Sequence, residues 1–570
     1  MAAEHFPGGA TRERPSIITR LWDRKVHHYP AERQRVGYLA IVVLTTIALY
    51  YEFYVQGAVA TSITSDYHMS FRFFVYVAVV GGVAGAFASL AAGLADRWGR
   101  ANLVVYGSAV SALIALFGIP QSPNKTAYLV WFATLSVVEG VVLVATPALI
   151  RDFSPQLGRA VAMAFWTIGP LVGSILVTQV VTHTVKVHPD WRVQFYYSGI
   201  FGLAVFVIAL FGLRELSPQL RDQLMVSLRD RALIEARARG IDPAAALSGH
   251  WKQVLNLRIV ASALAFSLML MIYVTCVSFL VLFVGTTFGY SQERANALGN
   301  WYWITSLGLG IATGFLSDRL KVRKPFMLLG ALMMATGTAL FAQHSTDPTT
   351  DYYTLAALLA LIAAGHGIAG SAWLACFTEQ VEARNPAATA TGLAVWGWTL
   401  RLVIAVMFVV LASVVSAATP LVDQGPRIQA IATRYASELA TAQALDPTTA
   451  AALNGGGRPD DATLRAAVGQ IASRLHTTPD DAAQRLSALS RVPRSDLAFL
   501  QQEGPKVQQA ATEAPGQWRN WWWICFWGIV AFLPIAFVME GRWSPRRAKA
   551  DAVEHDRLVQ AQIRELGLSS

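Results

Sequence analysis

Gly93-Leu94-Ala95-Asp96-Arg97-Trp98-Gly99-Arg100 closes one long apolar stretch, and Gly314-Phe315-Leu316-Ser317-Asp318-Arg319 closes another in the second part of the chain. Two Asp-Arg pairs in the same setting mark an internal repeat whose unit is a group of hydrophobic segments. Outward from these pairs the chain alternates apolar runs of about 20 residues with short polar breaks, the length that carries a helix across a hydrocarbon core. We read twelve: 39–60, 71–94, 102–119, 127–150, 158–182, 193–213, 259–285, 295–317, 325–343, 354–378, 389–417 and 520–540. The runs are continuous, without the period-two alternation of barrel strands. The fold class is therefore all-α integral membrane, with 12 transmembrane helices in two six-helix halves. Composition agrees: of 570 residues 54% are hydrophobic and 14% charged, against about a quarter charged in soluble domains. The net charge of +10 follows membrane topology, so no nucleic-acid partner is expected. Cys276, Cys376 and Cys525 lie in apolar runs and offer neither a disulfide framework nor metal-ligand spacing.

The segments divide into a polar N-terminal tail (1–38), a first six-helix half (39–213), a linker (214–258), five helices of a second half (259–417), an insertion (418–519), the twelfth span (520–540) and a C-terminal tail (541–570). No signal peptide is expected before the first span. Basic residues crowd the tails, the linker and the loops on their side. The short loops opposite offer only Lys125, Lys186, Arg192 and Arg294, with Arg72 at a span edge. Basic loops stay inside, so both termini are expected in the cytoplasm of a multi-pass protein of the plasma or inner membrane. Gln219 to Arg239 interleaves charges with Leu224, Leu228, Leu233 and Ile234, which reads as an amphipathic helix on the inner membrane face or as a solvated linker helix. The insertion is Ala-rich and balanced in charge, with a cap signal at Thr478-Pro479-Asp480-Asp481 and a break at Gly455-Gly456-Gly457. It is expected to be a small helical extracytoplasmic domain, an outer gate or the docking surface for an envelope partner, with a dispensable insertion as the plain alternative.

At the repeat the sequence resembles the major facilitator superfamily of secondary transporters. The loop after the second helix of that family carries Gly-x-Leu-Ala-Asp-Arg-x-Gly-Arg-Lys; Leu94, Ala95, Asp96, Arg97, Gly99 and Arg100 match, with Ala92 and Ala101 departing. The second half keeps Gly314, Leu316, Asp318 and Arg319, with Lys321 in place of the second Gly. The resemblance implies the twelve-helix facilitator fold, a monomer, a small-molecule substrate and alternating access. Two family elements fit less well. Ser136 stands where an Arg often precedes the Gly of the fourth helix, here Gly140, and Gly169-Pro170-Leu171-Val172-Gly173-Ser174 matches an antiporter element only in part. Acids at helix C-termini, such as Asp96 and Asp318, are better matched to a basic partner or to the N-terminus of another helix. Arg151 and Asp152 after the fourth span, and Glu379, Glu382 and Arg384 after the tenth, are the candidates for a cytoplasmic gate with Asp96, Arg97, Gly99, Arg100, Asp318 and Arg319. They would form a switching latch or a fixed tether.

Ionisable groups inside spans cost about 2.5–3.5 kcal/mol each on the insertion scale. Glu52, Glu139, His366 and Arg401 all fall about halfway along their spans. Gln56 lies one turn beyond Glu52, Ser136 and Thr146 share a face with Glu139, Trp398 precedes Arg401 by three residues and is placed to stack on its guanidinium, and Tyr273 in the seventh span is a fifth candidate for the cavity. A carboxylate in a low-dielectric cavity can load and release a proton near neutral pH. Glu139, and behind it Glu52, are the candidate proton-coupling groups. Arg401 offers a bidentate fork for an anion, with His366, Gln56, Tyr273 and Trp398 as further substrate contacts. The expected function is proton-coupled symport of an organic anion of the carboxylate class. The alternatives are a proton antiporter exporting a lipophilic or cationic compound and a transporter-like sensor without flux. A structural pairing of Glu52 or Glu139 with Arg401 is the plain reading of the same charges. No phosphate-binding loop occurs, so a proton gradient is expected to drive the cycle without a cofactor. An enzyme is not expected: a membrane glycosyltransferase needs an acidic pair in an early outer loop, where Asp66 stands alone beside His68.

Overall fold

The computed structural model describes residues 22–89, 98–154, 159–217, 219–220, 256–382, 389–454, 460–489 and 491–565. The first half comprises α1 (Glu32–Ala58), a short α2 (Ala60–Asp66), α3 (Phe71–Ser89), α4 (Arg100–Leu113, continued by a wider turn to Gly118), α5 (Lys125–Phe153), α6 (Arg159–Thr184) and α7 (Arg192–Gly212). The second comprises α8 (Leu257–Met269) and α9 (Met271–Phe288), which break at Leu270, then α10 (Gln292–Leu320), α11 (Lys324–His344), α12 (Tyr352–Glu382) and α13 (Thr389–Val414). The insertion adds α14 (Ala418–Asp423), α15 (Gly425–Arg434), α16 (Ala436–Gln443), α17 (Pro447–Asn454), α18 (Asp461–Arg474) and α19 (Pro479–Leu489) before α20 (Arg494–Val538) and α21 (Pro545–Glu565). Each expected span coincides with a helical tract. Ten are by themselves long and apolar enough to cross a membrane among the described residues. Of the other two, α6 is described as an apolar helix only over Ile168–Thr184. α10 carries Asn296 and Asn300 and ends in Asp318-Arg319. It packs instead against α6 and α12.

Local chemistry starts and stops these helices. Asn124 accepts the Ala127 N–H at the head of α5, and Ser291 that of Arg294 at the head of α10. Gly289, at φ +66, ends α9 in the left-handed conformation that favours glycine. Within the first half α1 packs on α6 and α7, α3 on α5, and α4 on α5 and α7; within the second, α12 packs on α10 and α11, and α8 on α13 and α20. The halves join chiefly through α3 with α13, α6 with α10, and α1 with α9. Phe87, Phe117, Phe211 and Phe315 point outward, each more than half exposed.

Three features depart from the expected divisions. Part of the N-terminal tail is ordered: Lys25–Val26 pairs in parallel with Glu215–Leu216, as strands β1 and β2. The fully buried Arg24 guanidinium donates to the Leu210 and Leu213 carbonyls at the end of α7. The twelfth span is the inner part of a 45-residue helix, so no break separates it from the insertion at residue 520. The insertion itself has a small core of Leu445, Ala467, Ile471 and Ala482, with the expected cap formed as the Asp481 N–H donates to Thr478 Oγ1 at 3.3 Å. The amphipathic stretch expected at 219–239 lies outside the described residues beyond 220.

Candidate functional site

Side chains from six helices converge where the halves meet. Tyr50 and Tyr54, one turn apart on α1, stand side by side with ring centroids 5.3 Å apart. The Tyr54 and Tyr273 hydroxyls lie 3.2 Å apart, which links α1 to α9 across the interface. The Tyr273 ring lies 5.1 Å from that of His366 on α12 and 5.7 Å from that of Trp303 on α10. His366 Nδ1 shares a hydrogen bond with Ser306 Oγ at 3.0 Å. Glu139 on α5, 8% exposed, and the half-buried Arg401 on α13 interact electrostatically with each other, and both do so with Tyr50. No ion pair or hydrogen bond joins Glu139 to Arg401 among the described residues. The site thus holds an acid on one half and a base on the other, both near Tyr50, with Tyr54, Tyr273 and His366 carrying the line of rings across the interface. Among the described residues no group of three His, Cys, Asp or Glu could hold a metal ion.

Beyond Tyr54 the interface is shut. Thr61 Oγ1 and Ser62 Oγ both donate to Gln292 Oε1, at 2.9 and 2.8 Å, and Asn296 Nδ2 donates to the Ala58 carbonyl at 2.8 Å. Lys186 pairs with Glu293 at 2.9 Å, and Thr178 Oγ1 donates to Asn300 Oδ1 at 2.5 Å. Gly57 lets α1 approach α9 so closely that a Cβ there would meet the Val277 carbonyl oxygen at 2.1 Å. Tyr54, Gly57, Cys276, Val277, Asn296 and Trp303 line a hollow here with room for little more than a water molecule. These closures lie at the end of the bundle that carries the insertion.

The sequence profile of the Major Facilitator Superfamily matches residues 42–406. The chain belongs to this superfamily. Solved structures agree on the fold. A bacterial homolog of the human lysosomal transporter Spinster, in an inward-facing and occupied conformation, has a TM-score of 0.51 at 15% identity, covering 90% of this chain and all of its own. A D-xylose-proton symporter has a TM-score of 0.52 at 14% identity, covering 65% of this chain and 89% of its own. The E. coli xylose transporter in a partially occluded inward-open conformation has 0.51 at 14%, covering 66% and 91%. No curated protein matches the chain.

The facilitator motif lies at the opposite end of the bundle. Asp96, Arg97 and Arg384 lie outside the described residues, as do the side chains of Arg151 and Glu382. Gly99, at φ +90, sits where the chain turns into α4, and the Glu215 carboxylate packs against it while accepting the Arg100 N–H at 2.7 Å. An acid thus caps the positive end of α4, held there by the β1–β2 pairing. The Arg100 side chain pairs with Asp152 at 2.8 Å, joining the start of α4 to the end of α5. The second half repeats the device with a residue that the motif does not contain. Arg323, at the head of α11, binds Asp318 at 2.7 Å and Glu379 at 2.8 Å. Arg319 makes no ion pair among the described residues. The ion pairs described at this end each join helices of one half.

The central site of this facilitator also corrects the sequence reading. Trp398 does not stack on Arg401. Its ring is 47% exposed, on an outward apolar stripe with Leu402, Val406 and Val409, and Trp396 takes the inward side against Phe266 and Trp373. Gln56 accepts from the Tyr128 hydroxyl at 3.1 Å inside the first half. Glu52, 1% exposed, accepts a hydrogen bond from Ser111 on α4 and presses against Gly202 on α7, where a Cβ would meet its carboxylate oxygen. It lies behind the interface, in electrostatic contact with Glu139. Tyr50 and Tyr54 were not anticipated. Their signal was the run Tyr50-Tyr51-Glu52-Phe53-Tyr54: residues at i and i+4 share a helix face, and Glu52 at i+2 points away from it. The Gly-Pro element packs α6 on α1, with Gly169 against Thr46 and Gly173 against Tyr50.

Proposed function

We propose that this facilitator is a proton-coupled symporter for a small organic anion of the carboxylate class, working by alternating access as a monomer. It sits in the plasma or inner membrane with both termini and the motif end cytoplasmic. The observation that carries the reading is the placement of Glu139 and Arg401 on opposite halves, in electrostatic contact but without a direct bond. An ionised Glu139 offsets the field of Arg401. A proton on Glu139 removes that offset and leaves the guanidinium fork to an anion, because attraction between charges is strong at low dielectric. Proton and anion then load together, and both leave before the empty carrier returns. Tyr50, Tyr54, Tyr273 and His366 contribute hydrogen bonds and ring faces to the body of the substrate. Glu52 relays protons from behind Glu139, with Ser111 holding its carboxylate. The description of one structural neighbour as a proton symporter supports the coupling, while a likeness at 14% identity carries no substrate across.

Purified protein in liposomes with an internal pH dye and an imposed pH gradient tests this. Pooled organic anions should bring protons in with wild type, and neither Glu139→Gln nor Arg401→Ala should show coupled flux. The electrostatic interaction of the two acids, Glu52 and Glu139, favours a second reading, proton-driven export of a cation. Coupled flux with cations alone, unaffected by Arg401→Ala, would replace the first reading with it. No flux with either pool would favour a sensor.

A further inference from the structure

The insertion begins with a helix that touches both halves. Helix α14 packs against α20 and α9 on the second half, and against α2 and the start of α3 on the first. Its Ala418 and Val422 are buried in these contacts. The Ala417 N–H donates to Gln517 Oε1 at 2.8 Å, which fastens the head of α14 to α20. Its last residue, Asp423, lies beside the backbone N–H of Phe71, the first residue of α3. Ser70 Oγ accepts the Phe73 N–H at 3.1 Å and so satisfies one of the donors that a helix start leaves open. Phe71 is fully buried, with its ring 5.9 Å from Phe279 of α9 and 6.4 Å from Trp518 of α20. Thr61, on the same α2 that α14 touches, closes the interface on Gln292.

We propose that α14 is a latch of the insertion end: it rides with α13 and α20 on the second half, seats on α2 and the head of α3, and must lift off the first half whenever this end opens. The inference rests on the alternating-access reading. Chain connection makes α14 part of the second half, since it follows α13 directly and Gln517 ties it to α20. Its contacts with α2 and α3 are the ones free to break. Opening this end therefore exposes Val422 and parts Asp423 from the head of α3, which adds to the work of parting α1 from α9. The insertion thus biases the resting carrier toward the form open at the motif end.

Cys276 lines the closed hollow and is 4% exposed, so its alkylation reports opening of this end without any substrate. The background is the full chain with Cys376→Ala and Cys525→Ala. Val422→Glu should speed the alkylation several-fold. Asp423→Cys with Ser70→Cys, joined by a short bifunctional thiol reagent, should suppress it, and so should the direct cross-link of Thr61→Cys with Gln292→Cys. Suppression by the direct cross-link alone, with Val422→Glu at the background rate, would overturn the latch and leave α14 a passenger while rocking stands. Unchanged alkylation in both cross-linked proteins would instead overturn the rocking reading.

Discussion

A single methyl group at Gly57 tests how the two halves close. A Cβ there would lie 2.1 Å from the Val277 carbonyl oxygen, 3.1 Å from its carbon and 3.2 Å from Ser278 Cα. All three atoms are backbone of α9, so no rotamer change relieves the clash, and ordinary contact requires the helices to part by about 1.3 Å. Overpacking of this kind costs about 1–3 kcal/mol. The gain in helix propensity from Gly57→Ala, about 1 kcal/mol, applies to open and closed forms alike and cancels between them. The closed form alone bears the clash, so the open population should rise about 5–150-fold. Alkylation of Cys276, in the Cys376→Ala/Cys525→Ala background, should quicken by that factor. Gly285→Ala is the control: a Cβ there meets Thr61 Cγ2 at 3.6 Å and the Tyr290 carbonyl at 3.7 Å, both ordinary contacts, and alkylation should stay at the parent rate. Gly57→Ala protein that melts cooperatively but reacts no faster than its parent would refute the claim that this backbone contact holds the end shut.

Arg100→Ala should lower the melting temperature more than Arg323→Ala. It breaks an ion pair whose side chains are 14% and 7% exposed, where a lost partner costs more than it does in water. Asp318 and Glu379, at 62% and 55%, return to water at about 0–1 kcal/mol. Ile471→Ala removes a fully buried side chain from the core of the insertion, a loss of about 2–5 kcal/mol. Limited proteolysis should then cut within 440–490 and spare the bundle. Asp423 should make the latch pH-dependent. Burial lifts its carboxyl above the ordinary value, against the opposing pulls of the Phe71 N–H and Lys125. The docked acid therefore holds its proton to higher pH than the released one. Docking is strongest at low pH and weakens as pH rises through the docked value. Cys276 alkylation, corrected for thiol ionisation with a model thiol, should quicken over that rise, and Asp423→Asn should flatten the curve.

The sequence by itself determined the twelve spans, the two-fold repeat and the depth of Glu52, Glu139, His366 and Arg401. These follow from one-dimensional facts: a hydrocarbon layer demands about 20 apolar residues in a row, and a charge inside such a run is conspicuous. The cap at Thr478 was legible for the same reason, since a cap is made within a few residues. Which face of a span meets which neighbour was not legible, because an apolar helix in lipid has no polar side to mark its outside. Trp398 and Trp396 look alike in the chain, yet packing against Phe266 and Trp373 sends one inward and the other outward. Glu52 and Glu139 share a depth, but only tertiary contacts turn the first toward Ser111 and Gly202 and the second toward Arg401. Arg323 on Glu379, Glu215 on the head of α4, and α14 across both halves belong to the same class. Each joins residues far apart in sequence, and such pairings exist only once the helices have chosen their neighbours.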